Sequence, residues 1–241
     1  MRFPILTGLF NLEDTSYMNS VLQILNNIRQ FREYLCKIDI SIQKCPISHA
    51  LKNVFLNLQN PNIKVYSPLE FKDIICKYNP LLLKNESNNP LQLFEFIFNS
   101  IHKELNENKN KNYPYEEDVE ETNWIDKLKY EKNRFNYENK SIIIDLFYGI
   151  QANEKYCLNC GITNYIFKHY NFLTLPIIQK NNNHIDIKDM INEYSKPIYS
   201  KENKKNNCPF CNRNYNAYYK TIFYEMPEIF IIHPLAINDF Q

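Results

Sequence analysis

The chain has 241 residues, 44% of them hydrophobic and 15% aromatic, enough for one substantial core and a second small lobe. With 28 basic against 27 acidic residues the formal charge is +1, so no global field favours nucleic acid or an anionic membrane. No run approaches the roughly 20 apolar residues that span a bilayer, and the N-terminal MRFPILTG lacks the apolar core of a secretory signal, so the expected location is cytoplasmic or nuclear.

Residues 8–25, GLFNLEDTSYMNSVLQIL, form the first readable element. A turn-prone stretch over 11–14 leads into Asp14 and Thr15, either of which can accept a hydrogen bond from an orphan amide of a first helical turn. Met18, Val21, Leu22, Leu25 and Ile28 then repeat at steps of three or four, which predicts a helix from Ser16 to about Leu35. Residue 16 therefore stands at a helix N-terminus, where the dipole favours a thiolate. Here it is a serine, whose hydroxyl is a weak nucleophile until a base removes its proton.

Three more apolar stripes predict helices over 46–58, 68–78 and 90–105, the last with Pro90 in its first turn. Residues 106–140 are polar and charged, and read as a solvated insertion holding a short helix near 124–130. The grammar then changes. SIIIDLFYGIQ, 141–151, is β-branched and aromatic and reads as strand, as do 164–176, 214–223 and 229–233. Helices first and strands afterwards make the chain α+β. With 36 Asn, and 23 Lys against 5 Arg, Asn-rich stretches such as 181–207 reflect a compositional bias, and that one is expected to loop out.

Seven cysteines, an odd number, suit a reducing compartment and metal binding better than a disulfide framework. Cys157 and Cys160 form one C-x-x-C knuckle, Cys208 and Cys211 a second. Each knuckle offers two thiolates to one tetrahedral zinc, and four thiolates leave no position for water, which predicts a structural Zn2+. Gly161, one of three glycines, allows the tight turn that follows the second thiolate. The separation between Cys160 and Cys208 exceeds the roughly 15–20 residues of a simple zinc ribbon, so the knuckles are expected to cap separate hairpins. Cys36, Cys45 and Cys76 read as small hydrophobes. A zinc-dependent nucleic-acid module is disfavoured by the balanced charge and the lack of a basic stripe.

Residues 8–23 resemble the first sequence box of the ubiquitin-specific proteases, G-L-x-N-x-G-N-T-C-Y-M-N-S-x-L-Q, through Gly8, Leu9, Asn11, Thr15, Tyr17, Met18, Asn19, Ser20, Leu22 and Gln23. Glu13, Asp14 and Ser16 depart, standing where the family has Gly, Asn and the nucleophilic Cys. PLQLFEFI, 90–97, is similar to a second box, Q-Q-D-A-x-E-F-L, in Glu95 and Phe96, and EMPEIFIIHPLAI looks like the family strand L-P-x-x-L-x-x-H-x-x-R-F. These boxes, the segment SIIIDLFYG and both zinc knuckles follow the family's order along nearly all of the chain.

The resemblance implies a papain-like fold in one domain: a helical thumb over 1–105, an insertion over 106–140, zinc-bearing β fingers over 141–225 and the start of a palm over 226–241. It implies that position 16 is the nucleophile's place and that Asn11 donates to the oxyanion. In the family the catalytic His and its partner come from a segment later than those matched here, and none of His49, His102, His169, His184 and His233 meets the requirement, so the expectation is an incomplete palm: either the chain is a fragment or the natural protein lacks the second half of its palm. Glutamate at 13 is expected to resist the positive φ open to glycine, and its carboxylate opposes both a thiolate and an oxyanion. The expectation is a catalytically impaired domain that binds ubiquitin or another protein partner as a scaffold. The alternative is an active thiol isopeptidase with Ser in place of Cys.

Overall fold

Amphipathic helices build the N-terminal part of the chain, and, among the described residues, an antiparallel sheet, a short parallel strand pair and three further helices build the rest. The structure, a computed structural model, describes residues 7–82, 89–114, 123–177, 186–199, 208–213 and 217–236. They fall into two units, Met1–Lys109 with Lys140–Ile144, and Asn110–Asn139 with Asp145–Gln241.

The first unit holds α1 (Ser16–Asn27), α2 (Arg29–Lys37), α3 (Pro46–Leu58), α4 (Leu69–Tyr78) and α5 (Pro90–Leu105), with a short parallel pair, β1 (Gly8–Leu9) and β2 (Val65–Tyr66). The predicted stripes are its core: Val21, Leu22, Leu51, Phe71, Leu93 and Ile97 are all buried. Burying each such side chain contributes roughly 1.5–3 kcal/mol. Phe31 meets Phe55 and Phe98 edge-on, with ring centroids 5.9 and 6.4 Å apart. The start of α3 is closed by Glu104 from the last turn of α5, which accepts from the amides of Ile47 and Ser48 at 2.9 and 2.7 Å. The single helix predicted over 16–35 is in fact two. The chain breaks at Ile28, whose ψ of 95° is extended, and Arg32 Nη1 donates to the freed Asn26 carbonyl at 2.7 Å.

In the second unit β3 (Gly149–Cys157), β4 (Thr163–Tyr170), β6 (Ile198–Tyr199) and β7 (Ala217–Glu225) form one sheet in the order β4-β3-β7-β6, while β5 (Leu173–Ile177) and β8 (Ile232–Ala236) pair in parallel. Three expectations are corrected. Residues 141–151 are not one strand, because Ile142–Phe147 is a helix, α7, and the strand starts at Gly149. The buried positions Ile143, Leu146 and Phe147 keep a helical spacing, which overrides the β-branched composition. The insertion's helix, α6 (Trp124–Glu138), is 15 residues long rather than a short turn. Its Trp124 lies 5.8 Å from Tyr165 and 5.6 Å from Tyr224, so sheet packing extends it well beyond what its polar sequence favours. The stretch read as loop contains α8 (Ile187–Tyr194), capped by Asp186 and packed through Met190 against Leu173 and Leu175, and it also contains β6. The segments 178–185, 200–207 and 214–216 lie outside the described residues.

Gly149 is where the sheet needs a glycine. A Cβ there would stand 2.4 Å from the Glu225 carbonyl and 2.8 Å from the Tyr170 ring. Tyr170, its cross-strand partner, lays its ring over the gap and donates its hydroxyl to that carbonyl at 3.2 Å.

Candidate functional site

The turn before α1 is built from its own polar side chains. Asn11 Oδ1 accepts from the Thr15 amide and from the Thr15 hydroxyl, both at 3.2 Å, and the Leu12 amide donates to Thr15 Oγ1 at 2.9 Å. A backbone N–H can only donate, so the Asn11 atom it meets is the carbonyl oxygen. The Asn11 amide nitrogen is thereby turned the other way, with no hydrogen-bond partner among the described residues. Thr15, almost fully buried, occupies the N-cap position but makes no capping bond there. Its hydroxyl serves the turn, which corrects the expected cap.

Glu13 and Asp14 take up the left-handed backbone, at φ 51° and 53°. The expected conflict is therefore present rather than avoided. Two non-glycine residues hold a conformation that costs roughly 1–3 kcal/mol each, and it persists only where the surroundings over-determine it. Those surroundings are on hand. Asn19 Nδ2 donates to the Phe10 carbonyl, Gln23 Nε2 to the Thr7 carbonyl and Lys72 Nζ to the Leu12 carbonyl, each at 3.0 Å. Asn19 and Gln23 belong to the matched sequence box, and their role is to hold the turn. Lys72, on α4, was missed, since nothing in its spacing from residue 12 signals contact. The bond Asn19 makes to Phe10 leaves its Oδ1 buried with no partner.

Ser16 begins α1 and is exposed. Its carbonyl accepts from Ser20 Oγ at 3.0 Å, while its hydroxyl has no hydrogen-bond partner among the described residues. Tyr17, beside it, donates to the Leu82 carbonyl at 2.7 Å, and burial together with the Cys76 sulfur pushes its pKa up. No described histidine hydrogen-bonds residue 16. His102 Nδ1 meets Ser141 Oγ at 2.8 Å, His49 faces Asn53 within α3, and the ring of His169 stacks on Phe135 at 3.5 Å. His184 lies outside the described residues, and His233 is on β8 with its Nδ1 buried.

The second candidate site lies in the other unit. The sulfurs of Cys157, Cys160, Cys208 and Cys211 all lie within 4.8 Å of one another, and those of Cys160 and Cys208 are 3.8 Å apart. Four thiolates at about 2.3 Å from a tetrahedral ion would sit about 3.8 Å apart, so the residues fit a metal of that size. The two knuckles are built alike. Gly161 N–H donates to the Cys157 carbonyl and Asn212 N–H to the Cys208 carbonyl, both at 2.8 Å. Cys157 N–H bonds Ile162 O at 3.0 Å, and Cys208 N–H bonds Arg213 O at 2.9 Å. Gly161 has φ 72° and Asn212 φ 55°, so asparagine, the non-glycine type best suited to this region, does at the second knuckle what glycine does at the first. The first knuckle caps the β3–β4 hairpin, as expected, while the second precedes β7 and is flanked by segments outside the described residues.

The thiols are electrically unequal. Burial opposes ionisation of Cys208, but the amides of Cys211 and Phe210 and the thiols of Cys157 and Cys211 prevail and pull it down to about 6. Cys160 moves the other way. The Ile162 amide favours its thiolate, yet burial and the neighbouring thiols push it up to about 11.

Comparison with known proteins accords with this arrangement. Residues 7–235 match the sequence profile of the ubiquitin carboxyl-terminal hydrolases. Over 240 residues the chain is 26% identical to ubiquitin carboxyl-terminal hydrolase 2 of Rattus norvegicus, covering 95% of itself and 38% of that protein. It is 26% identical over 206 residues to ubiquitin carboxyl-terminal hydrolase 32 of Drosophila melanogaster, covering 81% of itself and 12% of that protein. Among solved structures it is similar to the SAGA Ubp8/Sgf11/Sus1/Sgf73 DUB module bound to ubiquitin aldehyde, with a TM-score of 0.69 at 18% identity, over 96% of this chain and 47% of that one. A variant form of the same module, bound to monoubiquitin, gives a TM-score of 0.67 at 18% identity over 96% of this chain and 48% of that one. The chain thus spans less than half the length of the relatives it matches. It belongs to the ubiquitin carboxyl-terminal hydrolase family.

Proposed function

We propose that this chain binds ubiquitin or another protein partner and, with Ser16 in the nucleophile's place, does not cleave it at an enzymatic rate. The observation that carries the reading is the state of residue 16. Its hydroxyl lies at the start of α1 with no hydrogen-bond partner among the described residues, and two carboxylate residues, Glu13 and Asp14, stand three and two positions before it. A thiol would gain from the helix dipole, whereas a hydroxyl needs its proton removed. In this reading Asn11 holds the oxyanion-donor position and Cys157, Cys160, Cys208 and Cys211 hold a structural Zn2+, which stiffens the knuckles. Recognition of ubiquitin is supported by the two similar modules, one bound to monoubiquitin and one to ubiquitin aldehyde.

One observation favours a second reading, a thiol isopeptidase represented with Ser for Cys. The Asn11 amide nitrogen is unengaged, so a donor for a developing oxyanion is preserved. Introducing Ser16→Cys into the full-length gene product separates the two readings. Release of a reporter from the C-terminus of ubiquitin supports the isopeptidase, and continued silence supports the scaffold. Ubiquitin affinity of the unaltered chain is expected in either case, and its absence leaves only a partner other than ubiquitin.

A further inference from the structure

We infer that Lys72 is a positioning residue for the turn that presents Asn11 and residue 16, acting through the peptide between Leu12 and Glu13. The Leu12 carbonyl accepts from Lys72 Nζ at 3.0 Å, and the Leu12 amide donates to Thr15 Oγ1 at 2.9 Å. That residue is therefore held at both its polar groups. The carbonyl belongs to the same peptide plane as the Glu13 amide. Turning that plane over would release Glu13 from its φ of 51° and carry the carbonyl away from Lys72. A hydrogen bond from an ammonium is stronger than one between neutral groups, so Lys72 is suited to oppose that flip. Glycine at 13 would hold the same backbone without strain and would need no such clamp. Lys72 thus offsets a conflict created by Glu13.

This inference deepens the reading of residues 11–16 as the reacting turn, and its test does not involve ubiquitin. In a Ser16→Cys chain, the rate at which iodoacetamide alkylates the introduced thiol at neutral pH reports how the turn presents it. Lys72→Met keeps the alkyl stem and removes the donor, and it is expected to slow alkylation fivefold or more. Lys72→Arg, which keeps a charged donor, is expected to restore at least half the rate. The deciding comparison adds Glu13→Gly, in which Lys72→Met should slow the reaction less than twofold. An equal effect with Glu13 and with glycine would show that Lys72 acts as a distant charge or as general support, and would overturn the inference, as would no effect in either. In the otherwise unaltered chain, Lys72→Met should speed hydrogen exchange at the Leu12 and Thr15 amides at least tenfold while leaving the Phe71 and Ile75 amides of α4 unchanged. Unchanged exchange at Leu12 and Thr15 would also overturn it. Absence of ubiquitin binding would remove ubiquitin as the partner in the proposed function and leave this result standing.

Discussion

At the scale of single residues, the turn before α1 shows a local preference overruled by its neighbours. Glu13 and Asp14 sit in left-handed backbone that their side chains disfavour, because Asn11, Thr15, Asn19 and Lys72 bind the surrounding carbonyls and amides. Glu13→Gly should therefore stabilise the folded chain. The relief of strain exceeds the added freedom of the unfolded chain, and the gain is about 1 kcal/mol, read as a rise in the urea midpoint at constant slope. A fall in the midpoint would mean that the Glu13 side chain makes a contact worth more than the strain. Of the residues that carry the resemblance, Asn19 and Gln23 bind the carbonyls of Phe10 and Thr7, and of the departures Glu13 and Asp14 are where the backbone turns left-handed. Lys72 was illegible because its contact joins residues 60 positions apart and rests on one flexible side chain.

At the scale of elements, the helical half was readable because burial there follows one period. Helices α3 and α5 have their predicted bounds, and α4 starts one residue later than expected. Where two signals conflicted, the reading failed. Residues 142–147 carry three isoleucines in a row, yet helical spacing of the buried positions decides the outcome. The length of α6 was hidden because its support comes from Trp124, Phe135 and their partners on the sheet rather than from its own sequence. Two predictions belong here. Gly149→Ala forces a methyl to 2.4 Å from the Glu225 carbonyl, which should cost about 3 kcal/mol, seen as early loss of fluorescence from the chain's one tryptophan in urea. An unshifted midpoint would show that β7 can retreat freely.

The second concerns acid. Burial holds His169 down at about 4, with Arg134 acting in the same sense and the Glu131 carbonyl and Glu225 opposing. Its Nε2 is buried without a partner. The folded state thus keeps the ring neutral over a range in which the unfolded chain, with a pKa near 6.5, binds a proton. Stability contributed by the neutral ring is present above about pH 6.5 and is lost as pH falls toward 4. The ring is partly solvated, so the loss is discounted to about 1 kcal/mol. His169→Gln should flatten the pH dependence of the Trp124 melt between pH 6.5 and 4, and an identical slope in both proteins would contradict the assignment.

At the scale of the whole molecule, two sites with separate duties lie in separate units: a turn that presents residue 16 in one, and four clustered cysteines in the other. No helix among the described residues is long and apolar enough to cross a membrane. The cysteine site was legible from spacing and residue type, because the four-sulfur geometry follows directly from two C-x-x-C turns. Its Asn212 was not singled out, although an asparagine directly after the second cysteine parallels Gly161. Metal analysis is expected to find about one zinc per chain, and chelation is expected to unfold the β unit while the helical signal of α1 to α5 persists. A β unit that melts at the same temperature with and without chelator would remove zinc from the account.

The most direct measurement of the central claim is hydrolysis of a ubiquitin C-terminal reporter by the unaltered full-length gene product, run beside its Ser16→Ala form. The account predicts no release above background from either, because an oxygen at position 16 lacks the activation that a thiol receives there. Sustained turnover by the unaltered protein, abolished by Ser16→Ala, would contradict it.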